Sequence, residues 1–120
     1  MKKSKEITIY GIPNCDSVKK AINWMNENKI SFVFHNYKTS GIDKATLEKW
    51  CATVGWEKLL NTKGTTWRKI ASEYEGKKMN EKLAISIMLE HNSTIKRPVV
   101  SIGKHLIIGF DETALSSLLP

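Results

Sequence analysis

One of the two cysteines in this chain stands where a short apolar run gives way to a helical pattern. The segment reads Tyr10-Gly11-Ile12-Pro13-Asn14-Cys15-Asp16-Ser17. Asn14 is a favoured N-cap type, which places Cys15 in the first helical turn, near backbone N–H groups that lack intrahelical partners. Those donors and the positive end of the helix dipole favour thiolate over thiol. The thiolate is the nucleophile of sulfur chemistry, so Cys15 is the candidate catalytic residue. Free cysteine is also a common core residue, and that reading fits the second cysteine. Cys51 shares an apolar helical face with Leu47, Trp50 and Val54. Asp16 suits a first helical turn, yet its carboxylate opposes a thiolate if the two groups face each other.

A second feature far along the chain complements the thiol. Arg97-Pro98 opens a β-like run, so a fixed cation and a proline stand together at a strand start. X-Pro is the bond type in which a cis peptide is accessible, and a cis bond here would turn a backbone edge toward a substrate. A trans proline is common at strand starts, and the sequence leaves both forms open. His35, His91 and His105 form no metal-ligand spacing with the cysteines, so no metal site and no bound cofactor is expected.

The elements that must position these residues follow from periodicity. Ile7-Thr8-Ile9-Tyr10 alternates as a strand. Val18, Ala21, Ile22 and Met25 make one face of a helix, and Ser31–Tyr37 reads as a second strand. Two strands joined this way favour parallel pairing with a right-handed crossover. A helical stretch follows, over about residues 39–91. Asp43 caps one helix that stops at Gly55, and Trp56–Leu60 adds a further turn. Thr65 or Thr66 caps the next helix, which carries Trp67, Ile70, Ala71 and Tyr74, and Asn80 opens a last one with Leu83, Ala84, Ile87 and Met88 inward. Trp50, Trp56 and Trp67 are its expected core. Pro98–Ile102 and Leu106–Ile108 then flank Gly103-Lys104 as a hairpin with glycine first in the turn. Asp111 caps a terminal helix.

The order β-α-β, helical insert, β-β-α describes an α/β protein with a thioredoxin-like mixed sheet. Residues 1–120 form a single domain, with the sheet core at about 6–38 and 92–120 and a helical subdomain inserted between the halves. The net charge of +7 is spread along the chain, including Lys2, Lys3 and Lys5, without a nucleic-acid motif. The charge suggests an anionic partner without identifying one, and nucleic-acid binding is not expected. No apolar run is long enough to span a bilayer, and no apolar segment follows the basic start, so neither membrane insertion nor a secretory signal is expected. Two widely separated cysteines suit a reducing cytoplasm.

Four stretches resemble the ArsC-type arsenate reductase family, from about Ile7 to Pro120. They are Tyr10–Cys15, Gly64-Thr65-Thr66-Trp67-Arg68-Lys69, Ile95-Lys96-Arg97-Pro98-Val99 and Gly109-Phe110-Asp111-Glu112. The likeness is to its YffB-like branch, which neighbours the Spx-type regulators. The resemblance implies a reductase whose cysteine, at Cys15, works with glutathione as co-substrate and with glutaredoxin. The family's arsenate reductases hold the oxyanion with three arginines. The resemblance implies that Arg97, which matches one of them, binds the anionic part of the substrate beside Asn14 and Pro98, with Arg68 as a further candidate from the insert. Asn61 and Gly109 stand at the other two positions. Losing two fork-shaped donors weakens tetrahedral oxyanion binding, which favours a glutathione-dependent thiol reductase acting on a small anionic or disulfide substrate. Spx-type regulators carry Cys-X-X-Cys at this site. Val18 occupies the second position here, so a monothiol cycle is expected, in a monomer. The alternative implied by the same resemblance is an Spx-like protein that docks on RNA polymerase without turnover.

Overall fold

The computed structural model describes residues 6–119; Lys2, Lys3, Lys5 and Pro120 lie outside the described residues. In chain order the elements are β1 (Ile7–Gly11), α1 (Asp16–Glu27), β2 (Val33–Asn36), α2 (Tyr37–Ser40), α3 (Lys44–Val54), α4 (Trp56–Leu59), α5 (Thr65–Ile70), α6 (Glu81–Glu90), β3 (Val99–Ile102), β4 (His105–Ile108) and α7 (Glu112–Leu118). They divide into two compact units. One takes the chain through Ser40 and resumes at Arg97, and the other is Gly41–Lys96. No described helix is long and apolar enough to cross a membrane.

The first unit is a thioredoxin-like four-stranded mixed sheet in the order β2-β1-β3-β4. β1 runs parallel to β2, as the β-α-β pattern requires, and antiparallel to β3, which pairs antiparallel with β4. Strand alternation places Ile7 and Ile9 of β1, Val100 and Ile102 of β3 and Ile107 of β4 on one face. Ala21 and Met25 of α1 and Leu115 of α7 join them in a single buried cluster. Full burial of each large aliphatic side chain contributes about 2 kcal/mol. Gly11 permits the close approach of α1 to β1, since a Cβ there would lie 2.6 Å from Val18 Cγ2. The hairpin forms at Gly103, whose φ of 58° supplies the positive first position of a two-residue turn.

The second unit is the helical insert. Asp43 caps α3 by accepting from the Thr46 N–H at 2.8 Å, and Gly55 ends it at φ 89°. Asn80 caps α6 by accepting from the Leu83 N–H at 2.9 Å. Leu47, Trp50, Ala84, Ile87 and Met88 are buried. The insert differs from its sequence pattern in three respects. α5 starts after Gly64, with no side-chain cap from Thr65 or Thr66, because both threonines already have helical positions. Trp56 and Trp67 are half-buried rather than core, and Trp67 stacks on Tyr74 with ring centroids 6.2 Å apart. The insert also runs on to Lys96 rather than ending near residue 91. Backbone bonds hold that last stretch: Lys96 N–H donates to the Leu59 carbonyl at 2.8 Å, and Asn61 N–H to Thr94 at 2.7 Å. Ile95 bridges Leu60 in the same ladder.

Candidate functional site

Strand direction gathers the chemistry at one end of the sheet. β1 ends at Gly11 and leads to Cys15, and Gly11 lies in register with Asn36, the last residue of the parallel β2. Tyr37 follows at once. Tyr10 lies opposite Val99, so the antiparallel β3 begins at this same end, directly after Arg97-Pro98. Val99 in turn pairs with Ile108, which brings Gly109 there from β4. The ends of three strands and the start of a fourth therefore place Cys15, Tyr37, Arg97, Pro98 and Gly109 around one edge. Such crevices outside the strand ends are the usual ligand sites of α/β sheets.

The start of α1 is set one residue later than its sequence suggests. Cys15, not Asn14, is the N-cap: its φ of −140° and ψ of 126° are extended, and its carbonyl accepts the first helical bond from Lys19 N–H at 2.9 Å. Asn14 is exposed and one position too early to reach the first-turn N–H groups. The Cys15 side chain makes no capping hydrogen bond, so its half-buried sulfur is not tied to the helix backbone. Asp16 is the acidic residue of the first turn and is exposed. Val18 faces the core with no exposed surface, at the position where a second cysteine would stand.

Across the site the Arg97-Pro98 peptide is cis, which resolves the choice the sequence left open. Pro98 is buried, and its carbonyl accepts from the Gly109 N–H at 2.8 Å. Gly109 has φ +85°, a conformation L side chains rarely adopt. The backbone itself thus disfavours an arginine at that position. Asn61, which the family resemblance sets at another arginine position, belongs to the insert, and its side-chain oxygen accepts from the Lys63 N–H at 3.1 Å. Arg68 is exposed on α5 of the insert, outside the unit that assembles this sheet end.

Tyr37 is the site residue that sequence reasoning missed. It is fully buried, and Arg97 hydrogen-bonds its hydroxyl. Burial pushes the phenol up to about 12; the Arg97 charge and hydrogen bond pull it down, and the nearby Cys15 sulfur pushes it up again. The phenol is therefore neutral at physiological pH. Periodicity placed Tyr37 at the end of a strand and gave no sign of this role. The available signal was chemical, since a buried tyrosine hydroxyl needs a polar partner. His35 lies one step back on β2, its ring tilted against Tyr10 at 5.1 Å.

Comparison with known proteins places this architecture. The ArsC family profile matches residues 10–118. The chain belongs to the ArsC family. A solved structure of the YFFB protein is 41% identical, superposes with a TM-score of 0.90, and is matched over 95% of this chain and 99% of that one. An arsenate reductase (ArsC) related protein from Brucella melitensis is 38% identical, with a TM-score of 0.75, over 98% and 97% of the two chains. Among curated proteins, an uncharacterized protein of Haemophilus influenzae is 36% identical over 88% of this chain and 92% of its own length. The global transcriptional regulator Spx 1 of Lactococcus lactis is 30% identical over 95% and 89%. The proteins similar to this chain thus include an arsenate-reductase-related protein and a transcriptional regulator.

Proposed function

We propose that this ArsC-family chain is a monothiol reductase that uses glutathione as co-substrate. The observation that carries the reading is the convergence of a half-buried Cys15, Arg97 and Pro98 at one sheet end. In the first step the Cys15 thiolate attacks the glutathionyl sulfur of a mixed disulfide. A Cys15–glutathione disulfide forms, and the substrate leaves as thiolate and takes up a proton. A second glutathione thiolate then attacks the glutathionyl sulfur, freeing Cys15 and yielding oxidised glutathione. Substrate sulfur is reduced and two glutathione sulfurs end oxidised, so the electrons balance. An external thiol is needed because Val18 occupies the position of an internal resolving cysteine. Arg97 binds a glutathione carboxylate, and the cis Pro98 segment presents backbone to its peptide. Asn14 precedes the thiol outside the helix and does not cap it.

The test is thiol-disulfide turnover with glutathione, comparing the native protein with Cys15→Ser. Turnover confined to the native protein supports the reading; equal rates end it. Glutaredoxin in the same assay asks whether a second protein accelerates resolution. Arg68→Ala examines the insert's charge, and an unchanged KM removes Arg68 from the binding role. Arsenate-dependent oxidation of glutathione, with glutaredoxin present, separates an arsenate reductase from a disulfide reductase.

A second reading has its own observation, the 30% identity with the regulator Spx 1. In that reading the chain docks on RNA polymerase, as the resemblance implies, and Cys15→Ser leaves the complex intact. A pulldown that recovers polymerase equally with both forms, alongside absent turnover, would replace the reductase with a regulator.

A further inference from the structure

Among the described residues, the Tyr37 hydroxyl is a buried ionisable group at the sheet end that takes no part in the proposed steps. Its placement constrains what it can do. The side chain has no exposed surface, so it does not touch a substrate that enters from solvent. Its hydroxyl is the hydrogen-bond partner of Arg97, and it stands close enough to Cys15 for the two to interact electrostatically. Tyr37 and Arg97 come from opposite directions, the first just past the C-terminal end of β2 and the second just before β3. The orientation of an arginine's planar fork decides whether it meets a carboxylate in bidentate geometry.

We infer that Tyr37 is the positioning residue of this site, a buried neutral hydroxyl that holds the Arg97 guanidinium beside Cys15 for an anionic group on the incoming substrate. The high pKa of the phenol is consistent with this, because the hydroxyl remains a neutral acceptor over the whole physiological range. With both other family arginine positions filled by Asn61 and Gly109, the orientation of the one matching arginine carries more of the anion selectivity. The inference rests on Cys15 and Arg97 serving a common ligand, as in the proposed function, but it does not depend on turnover.

The experiment compares alkylation of Cys15 by anionic iodoacetate and neutral iodoacetamide, read by peptide mass spectrometry. Their rate ratio reports the charge at the sulfur whether or not the protein is an enzyme. Tyr37→Phe keeps the ring and deletes only the hydroxyl, and it is expected to lower the ratio about fivefold, as loss of one oriented cation near a thiolate would. Arg97→Gln should lower it at least as far, and Tyr37→Phe added to Arg97→Gln should change it no further. A ratio unchanged in Tyr37→Phe, or two effects that simply add, overturns the inference. In the native protein, slow hydrogen exchange at the Arg97 guanidinium compared with that of exposed Arg68 supports the anchoring, and equal exchange refutes it without any substitution. A normal ratio response in a protein that fails to turn over glutathione disulfides would sink the reductase and leave Tyr37 as the anchor.

Discussion

Each of the two compact units holds one cysteine, and the contrast between them is one of place and exposure rather than residue type. Cys15 caps α1 at the open end of the sheet, half-buried, with Tyr37 and Arg97 gathered at the same end. Cys51 lies on the inner face of α3 with Leu47 and Trp50, only 5% exposed. Burial pushes its thiol up to about 11, and the charges of Glu81 and Glu57 push in the same direction. In the proposed function one unit presents its sulfur to a ligand, whereas the other packs its sulfur as a small apolar filler.

The largest test of that contrast is exchange of each cysteine in turn. Cys15→Ser is expected to abolish glutathione-dependent turnover, while Cys51→Ser retains it within about twofold, the usual margin for a change remote from the chemistry. Comparable losses in both variants would erase the distinction. Reactivity gives the next largest effect: at pH 8 Cys51 should alkylate about a hundredfold more slowly than a free thiol, because its thiolate fraction is that much smaller. Rapid modification of Cys51 in the folded protein would show that the insert opens.

Alkaline pH should weaken both units, in different windows. Each group is neutral when protonated and titrates later in the folded chain than in the unfolded one. Stability from Cys51 is therefore complete below about 9 and lost as pH rises toward 11, and that from Tyr37 is lost between about 10 and 12. The loss associated with Tyr37 should reach about 3 kcal/mol, and Tyr37→Phe should remove it from that window. Denaturant midpoints measured across this range decide the matter. Gly11→Ala should cost about 2 kcal/mol in the sheet unit, since its Cβ would crowd Val18, which is held in the core. The smallest effects concern caps. Asp43→Ala should destabilise by about 1 kcal/mol, whereas Asn14→Ala should change stability by only a few tenths. Equal effects would restore Asn14 as the cap.

Much of this arrangement is legible in the residues themselves. Asp43, Asn80 and Asp111 announce their helices because each side-chain oxygen accepts from an N–H three residues on, a purely local event. Gly103 announces the hairpin for the same reason. The α1 face, with Val18, Ala21 and Met25 at helical spacing, foretells what that helix buries. Asn14 and Cys15 show the limit of local reading, since two adjacent residues compete for one cap and a single backbone angle decides. The insert's true end at Lys96 depends on hydrogen bonds to Leu59 and Asn61, far off in sequence and invisible to periodicity. Tyr37 is the clearest case. Its partner lies on the far side of the insert, and nothing about a tyrosine at a strand end specifies an arginine so distant.

That hydrogen bond has an architectural consequence. The chain leaves the sheet unit after Ser40 and re-enters it at Arg97, so the Tyr37–Arg97 contact ties together the two stems through which everything between them is spliced. Once such a knot closes, the length of the excursion matters little, because doubling a flexible loop adds only about 0.6 kcal/mol of closure entropy. Reactive end and inserted cargo are in this sense separately negotiable. A chain built this way can lengthen, trim or exchange the segment from Gly41 to Lys96 while the stems keep the Arg97 guanidinium at the sheet end that carries Cys15.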